Sequence, residues 1–117
     1  MRTTVLIVDD HDGFRRSAAA LLAAEGFDVV GGVADGAAVM EAVAKLRPDV
    51  VLLDVQLPGL NGFAVAEQLA ATPDPPHVVL ISSRDAAAYG RRVDNARVHG
   101  FLAKRELSGA TLSALLA

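Results

Sequence analysis

Asp9 and Asp10 follow directly on the apolar run "VLIV" (5–8), and Asp54 follows directly on "VVLL" (50–53). A carboxylate at the end of a buried strand is costly unless a positive charge meets it. Two further groups stand in comparable places. Ser82 ends "VVLI" (78–81), and Lys104 comes straight after "GFLA" (100–103). Several acids in one crevice repel each other unless a cation intervenes. The natural partner is a hard divalent ion with oxygen ligands, Mg²⁺ above all, which keeps some waters and leaves room for a phosphoryl oxygen. Acid, hydroxyl and ammonium together describe a phosphoryl-transfer site, with Asp54 as candidate nucleophile forming an acyl phosphate.

The elements that must bring these groups together are legible in the patterning. Short β-branched runs alternate with alanine- and leucine-rich stretches of helical spacing. Strands are expected at Val5–Val8, Asp28–Gly31, Val50–Leu53, Val78–Ile81 and Gly100–Ala103. The first helix carries Phe14, Ala18, Leu21 and Leu22 on its inner face and closes at Gly26. Asp35 is set to cap a second helix whose inner face is Val39, Met40, Val43 and Leu46, ending before Pro48. Asn61, in the turn "LPGLNG", is set to cap a third helix containing Phe63, Ala66 and Leu69. A fourth helix is expected through Tyr89 and Val93, weakened by Gly90, and a fifth after Ser108, using Leu112, Leu115 and Leu116. Five βα units imply a doubly wound parallel sheet with right-handed crossovers. Such sheets bind ligands beyond the carboxyl ends of the strands, where the strand order reverses. In the common order 2-1-3-4-5 that point lies between strands one and three, the two that end in aspartate.

Composition sets the outer limits. The chain has 117 residues, 52% of them hydrophobic and only 4% aromatic, which fits one tightly packed domain over 1–117. A net charge of −3 argues against direct nucleic-acid binding. The absence of cysteine excludes disulfides, thiol catalysis and thiolate metal sites, and fits a cytoplasmic protein. The first apolar run is too short for a signal peptide, and no stretch approaches the ~20 apolar residues of a membrane helix.

Each residue also has a plainer reading. Asp10 or Asp12 could simply cap the first helix, Ser82 could bond the backbone, and Lys104 could be a solvated charge. His11, His77 and His99 lack metal-ligand spacing and are expected at the surface, with no catalytic role for His11. Independent caps and surface charges have no reason to gather at one end of four strands, so the conjunction favours a site.

"VLIVDDH", "DVVLLDVQLPGLNGF", "VVLISS" and "GFLAK" resemble, in order and spacing, the response regulator receiver domain of two-component signalling. The resemblance implies a flavodoxin-like (βα)₅ fold and phosphorylation of Asp54 from the phosphohistidine of a histidine kinase or phosphotransfer protein. It implies Mg²⁺ held directly by Asp10, Asp54 and the Gln56 carbonyl, and by Asp9 largely through water. Ser82 and Lys104 would contact the phosphoryl group, and Phe101 would turn inward as Ser82 moves. The surface around residues 84–104 and the final helix would then engage a second copy or an output domain. Arg105 after the lysine matches the NarL/FixJ-like group, and without proline the Lys104–Arg105 bond is expected trans. Arg97-Val98 replaces the family's small pair before the fifth strand. Asp12 adds an acid where that group often has proline. The short last helix suggests a receiver cut from a longer regulator, by analogy one with a DNA-binding module behind it.

Two other classes are weighed against this. A dehalogenase-like phosphatase also uses an aspartate nucleophile and Mg²⁺, but wants an acid where Gln56 stands. A receiver-like interaction module that no longer takes phosphate would have lost acids, nucleophile or lysine, and all are present. Neither G-x-G-x-x-G nor G-x-x-x-x-G-K-[ST] occurs, which argues against nucleotide binding.

Overall fold

The computed structural model describes residues 2–117. Strands β1 (Thr4–Val8), β2 (Asp28–Val33), β3 (Val50–Asp54), β4 (His77–Ser82) and β5 (Gly100–Ala103) alternate with helices α1 (Asp12–Ala24), α2 (Val39–Leu46), α3 (Gly62–Ala70), α4 (Arg91–Asn95) and α5 (Gly109–Leu116). The strands form one parallel sheet in the order β2-β1-β3-β4-β5, as the patterning predicts. β3 lies at its centre, every residue from Val50 to Asp54 buried.

Side chains alternate across a strand, and the core divides accordingly. Val5, Ile7, Val50, Leu52, Val79, Ile81 and Leu102 pack on one face with Leu22 of α1 and Leu112 of α5. Leu6, Val8, Val51, Leu53, Val78 and Leu80 pack on the other with Val39 of α2 and Val65 and Leu69 of α3. Continuing that alternation past the strand ends puts Asp9, Asp54 and Lys104 in the first series, and Ser82 in the second with Phe101, which packs on that face.

The expected caps form. Asp35 accepts from the Ala38 N–H (2.9 Å) and opens the 3₁₀ turn Gly36–Ala38 that leads into α2. Asn61 accepts from Ala64 N–H and Ser108 from Thr111 N–H, each at 3.0 Å. Gly26 ends α1 with φ +100°, the left-handed region that favours glycine. No cis peptide bond occurs among the described residues, Lys104–Arg105 included.

Three expectations need correction. The segment after β4 is not one helix: a 3₁₀ turn covers Ala86–Ala88, and α4 holds only Arg91–Asn95. Gly90 separates them at φ +57°, ψ −135°, a conformation closed to side-chain-bearing residues, so the Ala86–Ala88 run cannot continue into α4. Leu21 and Leu46, read as inner-face residues, are 39% and 38% exposed. They lie at the margins of their apolar stripes, and Leu46 spreads over Gly31 of the edge strand β2. Asp10 and Asp12 do not cap α1. His11 occupies the cap position without a side-chain bond, and Asp12 in the first turn pairs with Arg15 (3.1 Å) and Arg16 (3.0 Å).

Candidate functional site

The carboxyl edge of β1 and β3 is assembled around Lys104. Asp9 follows the buried end of β1 and is wholly buried itself. Its Oδ1 accepts from the His11 N–H (2.8 Å), and the Arg15 guanidinium donates to its carbonyl oxygen (2.6 Å). Arg15 reaches there by lying across Gly32 of β2, where a Cβ would come within 3.3 Å of its Cδ. Lys104 Nζ stands 2.5 Å from Asp9 Oδ2 and 3.3 Å from Asp54 Oδ2, over the face of Phe14 at 4.6 Å from the ring centre. The ammonium and Asp9 Oδ2 form a close ion pair away from solvent.

Asp54 is fixed from its own backbone. Its Oδ1 accepts from the Gln56 N–H (3.1 Å), the Val55 N–H donates to Ile81 O (3.0 Å), and the Gly62 N–H donates to Val55 O (2.8 Å). A Cβ on Gly62 would fall against the Asp54 carbonyl oxygen and within 2.8 Å of the Val55 Cα, so only glycine lets α3 start this close.

Burial pushes the Asp54 carboxyl above its ordinary value. The Gln56 N–H pulls it back, the Asp9 charge adds to the rise, and Lys104 opposes it. Burial alone would lower Lys104, but its contacts with Asp9 and Asp54 together outweigh that and leave it raised. The site is therefore short of positive charge: one ammonium serves two buried acids, with a third close by.

Ligand atoms of Asp9, Asp10, His11 and Asp54 all lie within 4.8 Å of one another. An oxygen-rich donor set of three carboxylates fits a hard divalent cation such as Mg²⁺. His11 is exposed, and its Nδ1 lies 3.1 Å from both Asp9 Oδ1 and Asp10 Oδ1. Gln56 is placed beside Asp54 by its N–H.

Ser82, fully buried, behaves differently. Its hydroxyl accepts from the Arg84 N–H (3.0 Å) and shares a hydrogen bond with the Tyr89 hydroxyl (2.6 Å). It makes no hydrogen bond to Asp54 or Lys104. Tyr89 packs edge-on against Phe63 of α3 (5.8 Å between ring centres) and against Phe101 of β5 (6.0 Å).

Asp9, Asp10, Asp54, Gln56 and Lys104 thus gather as expected, while Ser82 and Phe101 sit beside them in a separate aromatic cluster. The plainer reading of Ser82 holds in part, since it bonds backbone. Sequence reasoning passed over Arg15 and the Tyr89 hydroxyl. The one available signal for the latter was that Tyr89 is the only tyrosine and stands next to a glycine. His77 and His99 are exposed, at the far end of the sheet. A concavity of about 700 Å³ beneath α2, lined by Met40, Val43, Arg47, Pro75 and His77 among others, also lies at that far end, and none of Asp9, Asp10, Asp54, Gln56, Ser82 and Lys104 lines it.

Comparison with known proteins bears on the chain as a whole. The family model described as response regulator receiver domain matches residues 5–116. The DNA-binding response regulator MtrA of Mycolicibacterium smegmatis is 41% identical over 85 residues, 73% of this chain and 37% of that protein. The DNA-binding transcriptional activator EvgA of Escherichia coli K12 is 29% identical over 101 residues, 86% of this chain and 50% of that protein. The signal receiver domain of NarL from Mycobacterium tuberculosis superposes with a TM-score of 0.87 at 32% identity, covering 99% of this chain and 98% of that one. The chain spans half or less of the length of these two curated relatives. Fold, acid edge and sequence agree: this chain belongs to the response regulator receiver domain family.

Proposed function

We propose that this domain is a phosphorylation-driven switch whose phosphoacceptor is Asp54. A carboxylate oxygen of Asp54 attacks the phosphorus of a phosphohistidine on a histidine kinase or phosphotransfer protein. The P–N bond breaks, the imidazole leaves with its electron pair and takes up a proton, and an acyl phosphate remains until water hydrolyses it. Asp10, Asp54 and the Gln56 carbonyl, with Asp9 behind, would hold Mg²⁺, which would supply charge neutralisation for the transferring group. Lys104 and Ser82 hold phosphoryl oxygens, and Phe101 turns inward as Ser82 moves. The domain catalyses only its own phosphorylation and dephosphorylation. No helix among the described residues is long and apolar enough to cross a membrane, which accords with a cytoplasmic regulator. The 84–104 surface and α5 then engage a second copy or an output domain, and the DNA-binding relatives suggest a transcriptional output.

The observation that carries this reading is one ammonium between two buried carboxylates, 2.5 Å from one and 3.3 Å from the other. That arrangement holds a cation beside the proposed nucleophile and leaves net negative charge for a metal. Acetyl phosphate with Mg²⁺ should add one phosphate by intact mass, and Asp54→Asn should add none. Asp10→Asn should weaken Mg²⁺ binding and slow labelling together. Equal labelling of Asp54→Asn would refute the reading.

A further inference from the structure

Ser82 departs furthest from its expected place. A serine hydroxyl offers one proton and two lone pairs. Here the Arg84 N–H takes one lone pair (3.0 Å), and the Tyr89 hydroxyl engages the oxygen from another side (2.6 Å). Both partners belong to the segment that follows β4, and neither belongs to the acid crevice. The strand alternation agrees: Ser82 continues the series of Val78 and Leu80, on the face opposite to the one that Asp54 and Lys104 continue. While the oxygen keeps these two partners it makes no hydrogen bond to Asp54 or Lys104.

Tyr89 is itself poised to respond. Its ring lies between Phe63 and Phe101, and Arg92 of α4 stacks over Phe63 with its guanidinium carbon 4.4 Å from the ring centre. The next residue, Gly90 at φ +57°, ψ −135°, is where the chain breaks between the 3₁₀ turn and α4. Arg84 and Tyr89 therefore connect one buried oxygen to both ends of the turn.

Resting on the phosphoryl chemistry proposed above, we infer that the Tyr89 hydroxyl is a latch. It holds Ser82 in the resting arrangement, and its release reports phosphorylation of Asp54 to the Ala86–Asn95 segment. Tyr89 is a positioning residue, acting on the reaction only through Ser82. Phe101 has no hydroxyl, so the hydrogen-bonded half of the switch belongs to Tyr89, and the Phe101 ring supplies only packing.

The chain contains one tyrosine and no tryptophan, so its tyrosine emission comes from Tyr89 alone. The test uses Mg²⁺ and beryllofluoride, a phosphoryl mimic, on the full chain, with adduct formation followed independently by ¹⁹F NMR. In the unmodified protein the tyrosine signal should move in step with the adduct. Ser82→Ala should shift the signal before any beryllofluoride is added. Tyr89→Phe should bind beryllofluoride about 5-fold more tightly, ~1 kcal/mol at 1.4 kcal/mol per decade, the usual net worth of one hydrogen bond. In a Ser82→Ala background the same substitution should change nothing, whereas a merely structural tyrosine would act equally in both. An adduct with a silent tyrosine signal, or equal effects of Tyr89→Phe in both backgrounds, overturns the latch and leaves Asp54 as acceptor. No adduct at all overturns both.

Discussion

The two sides of the sheet's carboxyl edge are built on opposite plans. On the α1/α5 side, Asp9, Asp54 and Lys104 form a buried ionic knot, braced by Arg15, the Gln56 N–H and Gly62. On the α3/α4 side, Ser82, Tyr89, Phe101 and Phe63 meet through one hydroxyl pair and ring contacts. The helix behind the first, α1, has 13 residues, whereas α4, behind the second, has 5. Removing one member of a buried ion pair strands its partner, so the first side resists change. A short helix interrupted by glycine gives up little on rearranging. On the function proposed above, chemistry is kept where the scaffold is stiff, and its readout where the scaffold is soft.

The largest expected effect probes the stiff side. Lys104→Met leaves two buried acids with no cation and should cost about 3 kcal/mol in urea unfolding without metal. A loss below ~1 kcal/mol would show that the knot braces nothing. On the soft side, beryllofluoride should slow hydrogen exchange most, outside the acid crevice, in residues 84–104, by about tenfold. If the greater change falls on Phe14–Ala24, the two plans are assigned the wrong way round.

A smaller effect concerns charge balance within the knot. Asp54 has a folded pKa raised by burial. Its protonated form is favoured in the fold, and the stability this lends is present below the unfolded pKa and lost as pH rises through the folded one. Asp54→Asn should therefore stabilise the metal-free protein by about 1 kcal/mol at neutral pH. The gain should shrink as pH falls toward 4; a gain constant across that range would assign it to packing.

The smallest effect lies away from both sides. His77 and His99 stack at the far end of the sheet, ring centres 3.9 Å apart, with Arg97 lining the same hollow. Burial and then the His77 charge lower the His99 pKa. Stability should thus fall slightly as pH drops through and below 6.5, and His99→Gln should flatten that slope. Both rings are exposed and screened, so no more than a few tenths of a kcal/mol is expected. A steep slope that survives His99→Gln would locate the titration elsewhere.

Sequence alone carried the sheet and the acid edge because both rest on local signals. Asp9 and Asp54 are conspicuous as charges ending apolar runs, and Asn61 and Ser108 as caps before periodic stretches. Parity along Val78–Ser82 and Gly100–Lys104 separates the two sides of the edge, a signal that the reading of one shared crevice left unused. What stayed hidden depends on contacts distant in sequence or on backbone angles. Ala86–Ala88 has strong helical propensity, but Gly90 adopts a conformation that its letter merely permits. The Tyr89 hydroxyl is assigned by where Ser82 lies, and the exposure of Leu46 by how far α2 overhangs the edge strand.

Gly62 has a practical consequence for anyone wishing to move this strand-end carboxylate into another protein. Because the start of α3 sits directly against the Asp54 carbonyl and the Val55 Cα, the clearance there is smaller than a methyl group. A graft of Val50–Gln56 alone would carry the carboxylate but lose the surface that sets its height above the sheet. The smallest portable unit is the continuous stretch from Val50 through Ala70, strand, turn and helix together. Within it position 62 tolerates no residue but glycine, which gives library builders one site to leave unvaried.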